Sequence, residues 1–393
     1  MKQLSSGANQ HSGTDPSTQP GLYAGYVGLD VHKDTIAVAI VYAGREAPES
    51  WGTIPNTKKA VAKLVDRLYE RKKTFLLCYE AGPCGYALYQ NLTAMGMDCR
   101  VVAPPRNEKI KTDRRDALRL ARLLRAGELV EVWVPDQEQE AVRDLCRCRA
   151  DFKAQQQKLR QQLNAFVLRH GHHWPTNRKR WTRKHLEWLE SLEFPYEHQA
   201  EVRDEYIAAV RMSSSRMVDL DQKLERALRG WSWAPLVNSL IALRGFDRLS
   251  AVTLLSELGD VSRFVSPNQL MGYLGLVPCV YSSGAHRRTG GVTQAGNHHA
   301  RQVLVESAWC YRFPARQTAY MNRKAEDASS YAQAIAWKAQ KRLCGRYRKL
   351  IKAGKAQKVV CVAIARELVG FVWDIACHEK HRVIRATREG TAF

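Results

Sequence analysis

Four carboxylates have the types and spacing to do chemistry on a phosphodiester. Asp30 interrupts an apolar stretch, where an ionised acid is rare without a partner. Glu80 closes a second apolar stretch, and Asp113 and Asp116 stand at i and i+3 of a helical segment, on one face of it. Acidic oxygens from three separate elements are the ligand set that Mg²⁺ or Mn²⁺ takes. One or two such ions can activate a nucleophile and stabilise the leaving oxygen in phosphodiester cleavage. Each acid also has a plainer role open to it. Asp113 can favour a helix N-terminus through its charge, Asp116 can pair with Arg115 or Arg119, and Glu80 can be a surface acid at a strand end. The ordered set is a stronger signal than any member.

The elements that must position these acids read as an α/β layer fold. Val27, Leu29 and Val31 alternate with Gly28, Asp30 and His32, and Ile36 to Val41 runs apolar, so a strand, a tight turn and a second strand are expected over residues 26–41. Val61, Leu64, Val65 and Leu68 share a helix face over 58–69. A buried strand is expected over 75–79, broken by Gly82-Pro83, then a helix to Met95 and a strand over 99–102. Thr112 is placed to cap a helix that carries Leu118, Ala121 and Leu124 inward, with Gly127 as its stop and Pro135 closing the domain of residues 21–135. Residues 1–20, polar and rich in Ser, Gly and Gln, read as a disordered tail without a signal peptide.

The middle, residues 136–230, reads as helical and coiled-coil-like. Leu145, Phe152, Leu159 and Phe166 recur every seven residues, but the complementary positions Cys148, Gln155 and Gln162 are polar. Val210, Met217 and Leu224 repeat the spacing in a second long helix over 201–228, so the two can form a hairpin or a dimerising stalk. Between them Arg178, Lys179 and Arg180 interleave with Trp174 and Trp181, which suits backbone contact plus base stacking; the alternative is a solvated loop with tryptophans packed beneath. Ile241 to Phe246 followed by Ala251, Leu254 and Leu255 resembles a helix-hairpin-helix, with Asp247 where a second glycine is usual. A mostly α domain is expected over 231–320 and a basic helical extension over 321–393.

The chain has 393 residues, 61 Lys+Arg against 39 Asp+Glu, and a net charge of +22. Such an excess draws polyanions by counterion release. Residues 321–393 alone hold 16 Lys+Arg and 6 Asp+Glu. Leu343, Tyr347 and Leu350 form only a narrow apolar stripe there, which favours nucleic acid over a membrane surface. No stretch is apolar enough to span a bilayer, and ten scattered cysteines suit a reducing cytoplasm.

Gly28-Leu29-Asp30-Val31-His32-Lys33, Tyr79-Glu80-Ala81-Gly82 and Lys111-Thr112-Asp113-Arg114-Arg115-Asp116-Ala117 resemble the DEDD transposases of bacterial insertion sequences, the insertion-sequence one-ten family of bridge-RNA-guided recombinases. The resemblance continues at Gly275-Leu276-Val277-Pro278, Tyr281-Ser282-Ser283-Gly284 and Gly290-Gly291-Val292-Thr293-Gln294-Ala295-Gly296-Asn297, with Gln294 where relatives often carry lysine. It implies a RuvC-like, ribonuclease-H-type N-terminal domain with Asp30, Glu80, Asp113 and Asp116 as the catalytic metal-holding acids. It further implies Ser283, with Ser282 as the adjacent alternative, as the nucleophile that forms a phosphoserine link to DNA. A structured non-coding guide RNA pairing with donor and target DNA, and a tetramer built from dimers with shared active sites, are also implied. Without the resemblance residues 281–284 read as a polar turn, since His286 has no evident orienting acid. Arg287 and Arg288 are apt to grip the scissile phosphate, as are Asn297 and Arg301 more weakly. The expected function is RNA-guided cleavage and rejoining of DNA in the bacterial cytoplasm, at the nucleoid. The alternatives are a carboxylate-only nuclease or junction resolvase, which needs no serine, and a non-catalytic nucleic-acid-binding protein, against which the intact acid set counts.

Overall fold

A computed structural model of the chain describes residues 23–104, 113–175, 177–283 and 286–388. The expected tail and the Thr112 cap lie outside the described residues. Two units part between Val134 and Pro135.

The first unit is built on a five-stranded sheet. Its strands are β1 (Gly25–Val31), β2 (Thr35–Tyr42), β3 (Glu49–Pro55), β4 (Phe75–Glu80) and β5 (Asp98–Val102). Their order is β3-β2-β1-β4-β5. β1 pairs antiparallel with β2 and β2 with β3, whereas β1–β4 and β4–β5 are parallel. Helices α1 (Lys58–Tyr69) and α2 (Ala87–Ala94) cover one face, where Val27, Leu29, Ile36, Val38, Ile40, Leu77 and Tyr79 form the core with Val61, Leu64, Leu68 and Leu92. The sequence reading does not anticipate β3. Its half-buried to exposed residues and internal Gly52 show no apolar alternation, so only pairing with β2 makes it a strand.

The other face is small, and that decides where helix α3 (Asp113–Ala126) lies. The register sets Gly28 beside Ala39 and Cys78, and Asp30 beside Ala37. Opposed residues in adjacent strands point to the same face, so these short side chains leave a shallow trough. Ala37, Ala39 and Ala117 bury one another in it. A Cβ on Gly28 would stand 2.1 Å from the Ala117 carbonyl oxygen and 2.6 Å from the Ala121 nitrogen, so α3 lies on β1 backbone to backbone. Arg125 Nη1 donates to the Tyr42 carbonyl at 3.1 Å and ties down the far end of the helix.

The second unit is mostly helical. Helices α4 (Gln137–Arg169) and α6 (Glu197–Leu228) form a hairpin within the chain, with α5 (Arg183–Glu190) at its tip. Its two ends are apolar. Leu163, Phe166 and Val167 meet Ile207 and Val210 at the tip, and Val142 and Cys146 join Leu224 and Leu228 in the main core. Its middle is polar: Arg149 pairs with Asp221, and Gln156 Nε2 donates to Ser214 Oγ at 3.0 Å.

Beyond it lie α7 (Ala234–Ile241), α8 (Arg248–Leu258), α9 (Pro267–Tyr273), the hairpin β6 (Pro278–Ser283) and β7 (His286–Val292), α10 (His298–Ala308), α11 (Ala319–Lys324), α12 (Ser330–Lys352) and α13 (Gln357–Arg388). The α7–α8 hairpin takes the purely structural form. Gly245 has φ +89°, and a Cβ there would meet the Ser307 carbonyl oxygen at 2.4 Å. Asp247 caps α8, its carboxylate accepting from the Ser250 nitrogen at 2.7 Å, where a phosphate would otherwise sit. Within the basic segment over 321–393, expected as an extension, α12 and the described part of α13 prove to be core. Ile364, Leu368, Val372 and Ile375 of α13 are fully buried with Ala339 and Leu343 of α12, and the cations line the opposite faces. No helix among the described residues is long and apolar enough to cross a membrane.

Overpacking a close backbone contact costs about 1–3 kcal/mol. Gly28→Ala is therefore expected to destabilise the first unit by about that amount in denaturant unfolding. Gly82→Ala, whose nearest neighbour to the added Cβ is 3.9 Å away, is expected to change little.

Candidate active site

Asp30 and His32 follow one another on the α3 side of β1, two residues apart and hence on one face. Asp113 opens α3 above them, with Asp116 one turn along. His32 Nε2 lies 3.3 Å from Asp30 Oδ2 and 3.6 Å from Asp113 Oδ1. Ligand atoms of all three residues fall within 4.8 Å of one another, close enough to share a metal ion. Asn56 braces the turn after β1, its Nδ2 donating to the His32 carbonyl at 2.9 Å.

The electrostatics suit a cation. Burial raises the pKa of Asp30; the nearby His32 imidazole lowers it, and the negative charges of Asp113 and Asp116 raise it again, leaving it above the ordinary value. Carboxylates crowded at the edge of a buried face repel one another until a positive charge joins them. The donor set is thus suited to a divalent ion. Glu80 ends β4 next to β1, since Leu29 pairs with Tyr79, but it stands outside the group of three. The sequence reading passed over His32. The Asp-x-His spacing on a strand was the available signal, because period-two alternation must place both side chains on one face.

The serine hairpin belongs to the second unit. Its register pairs Tyr281 with Arg288, Ser282 with Arg287 and Ser283 with His286. Tyr281 and Arg288 are exposed, whereas the side chains of Ser282, Ser283 and Arg287 lie outside the described residues. The cations Arg178, Lys179 and Arg180 are exposed beside α5. The tryptophans interleaved with them are not splayed outward. Trp174, Trp181 and Trp188 surround buried His185 at ring separations of 4.9, 5.1 and 5.7 Å, so the rings form the floor of this loop. His170 and His172 pack on Phe194 in the same way.

Comparison with known proteins joins the two halves. Residues 27–171, which include all four acids, match the DEDD transposase profile of the IS110 family. Residues 237–322, which include the serine hairpin, match the profile described as transposase, IS116/IS110/IS902 family. The y4qE protein of Sinorhizobium fredii, named as a transposase, is 43% identical over 89% of this chain and 88% of its own length. The transposase for insertion sequence element IS1533 of Leptospira borgpetersenii is 30% identical over 83% of this chain and 96% of its own. This chain belongs to the IS110 family of transposases. It is therefore an enzyme of DNA strand cleavage and rejoining, and its acid cluster lies in a family domain associated with divalent metal.

In this transposase two of the expected phosphate contacts are committed to the fold. Asn297 caps α10 through its Oδ1 and donates from Nδ2 to Glu257 at 2.7 Å. Arg301 Nη1 donates to the Leu274 and Ala295 carbonyls at 3.0 and 2.9 Å. Glu257, fully buried, also accepts a two-pronged pair from Arg147 at 2.7 and 2.8 Å. Burial alone would raise the Glu257 pKa, but the bonds from Arg147 and Asn297 outweigh it and hold the carboxyl below its usual value of 4.5. A depressed folded pKa contributes stability above the unfolded value and loses it as pH falls through the folded one. Glu257→Gln is expected to destabilise the second unit by about 2 kcal/mol at neutral pH, and by progressively less below about pH 4.5, in parallel acid titrations of the two proteins.

Proposed function

We propose that this transposase is an RNA-guided DNA recombinase that cuts and rejoins strands through a phosphoserine intermediate at Ser283, assisted by Mg²⁺ or Mn²⁺ at the acid cluster. The observation that carries the reading is the convergence of Asp30, His32 and Asp113 on the small-residue face of the sheet, within 4.8 Å of one another. The strand order, three antiparallel strands followed by two parallel ones, supports a RuvC-like, ribonuclease-H-type domain.

Asp30 and Asp113 would hold the ion, with Asp116 on the same helix and Glu80 at the end of the neighbouring strand as its further ligands. His32 Nε2 lies beside both carboxylates, a further donor that the ion could take. A bound divalent ion supplies Lewis-acid stabilisation of charge on the scissile phosphate. The Ser283 oxygen bonds to phosphorus as the bond from phosphorus to a deoxyribose oxygen breaks. One O–H is lost at serine and one gained at the sugar. One phosphodiester replaces another, so rejoining needs no ATP. Arg287 and Arg288, on the strand paired with the serine strand, would serve the phosphate, and Arg178, Lys179 and Arg180 offer a second cationic surface. The net +22 charge supports binding to a structured guide RNA as well as to donor and target DNA. A tetramer built from dimers, working at the nucleoid, would hold several active sites in fixed relation.

Asp30→Asn relieves like-charge crowding, so it is expected to abolish strand cleavage while leaving the thermal midpoint unchanged or slightly higher. Cleavage at the unaltered rate would remove the metal site from the mechanism. Ser283→Ala is expected to lose the covalent protein–DNA adduct on a suicide substrate while still binding DNA, with Ser282→Ala much milder. Cleavage that persists in both variants, with water as nucleophile, would favour a carboxylate-only nuclease or junction resolvase. RNA from the flank of the element is expected to bind more tightly than unrelated RNA of equal length; equal affinities would remove the guide.

A further inference from the structure

The base of the β6–β7 hairpin, Pro278 with Gly290, Gly291 and Val292, forms one wall of a cleft of about 710 Å³ in the second unit, with Ser283 at the other end of the first strand. Helices α12 and α13 supply Arg342, Arg346, Lys358 and Arg366 to its lining, which also holds the apolar Met271, Val359 and Val362. Glu367 is the acid among its lining residues, pairing with Arg342 and Arg346. No ion pair among the described residues occupies Lys358 or Arg366. The cleft therefore carries a net positive charge beside apolar surface, a pattern that fits a phosphate backbone with its sugars and bases.

Two features of the backbone point to the same occupant. Gly290 and Gly291 lie within β7, where glycine costs strand stability and commonly marks a bulge or the close approach of another backbone. They themselves form a bulge, lying two against Cys279 where the register shifts between Pro278 and Val280. It does not require glycine, because neither residue has a positive φ. Nor does the protein crowd them: a Cβ on Gly291 would meet nothing within 4 Å, and one on Gly290 would make only ordinary contacts. The bare strand thus faces open space in the cleft. At its far end Gln294, which also lines the cleft, is held at φ +54° without being glycine. Such strain gathers at ligand-binding sites. The loop that imposes it is locked by Gly275 and Gly296, whose added Cβ atoms would stand 2.2 Å from the Ala295 carbonyl oxygen and 1.9 Å from the Tyr273 carbonyl oxygen.

We propose that this cleft is the seat of the DNA strand that is cut, with the strand's backbone against Gly290–Gly291 and its phosphates on Lys358, Arg366 and their neighbours. The inference deepens the recombinase reading and rests on it, because the same hairpin presents Ser283. DNA is favoured over RNA on that ground.

Fluorescence anisotropy with a labelled DNA duplex of about 30 base pairs, across a salt series, tests the assignment. Gly291→Val has room within the protein and a strand-favouring side chain, so its thermal midpoint is expected to equal or exceed that of the unaltered protein. Its DNA affinity is expected to fall about tenfold or more through blocked access. Lys358→Glu with Arg366→Glu is expected to weaken binding and lower the salt dependence by about two phosphate contacts. Lys349→Glu with Lys352→Glu, an equal charge change outside the cleft, is expected to do far less. Gly291→Val binding DNA normally, or the two charge-reversal pairs behaving alike, would overturn the proposal. So would loss of affinity for a labelled RNA hairpin with DNA binding intact. Binding by the unaltered protein, measured first, separates the two readings: its absence overturns both, while its presence with unaffected variants overturns the cleft alone.

Discussion

Helix α3 rests on strand β1 through main-chain atoms at Gly28, and the candidate metal site of the first unit depends on that contact. Backbone-to-backbone approach fixes the height of the helix above the sheet more tightly than packed side chains can, since there are no rotamers to yield. Asp113 and Asp116 are carried by this helix and Asp30 by this strand, so the separation of the acids follows from it. Ala37, Ala39 and Cys78 serve the same end from the flanking strands. The face pays with little apolar area, and the larger core on the opposite face holds the sheet together.

Much of the first unit could be read from its residues because burial there follows simple periods. The bounds of α1 and β4 are legible to within a residue, and both long helices of the second unit emerge from their repeats. β3 was not legible, since an edge strand with half-buried to exposed side chains owes its form to a partner rather than to its own pattern. The C-terminal helices were misjudged for the opposite reason. Their sixteen cations dominate the composition, yet Ile364, Leu368, Val372 and Ile375 make a complete buried stripe between them. Charge describes the outer face of a helix and is silent about the inner one.

At the candidate site, Asp30 and Asp113 were legible as partners because each sits where an acid is unexpected, whereas Glu80 stands outside their group. His32 was overlooked because histidine at a strand end is unremarkable until Asp113 is seen to lie 3.6 Å from it. Asn297 shows the converse. It looks like a residue placed to meet a phosphate, but a buried glutamate and a helix terminus take its two polar atoms. Three-dimensional neighbours, not residue type, separate the polar groups that meet substrate from those that hold the fold.

The α4–α6 hairpin keeps its apolar contacts at its two ends and joins them by a polar span. Packing energy at the tip is thereby insulated from packing energy at the base, and the two can loosen independently. A tip held together by its own aromatic cluster behaves as a self-contained cassette. Changes in its length or surface over residues 170–196 carry little penalty for the serine-bearing core, leaving this end of the molecule free to diverge.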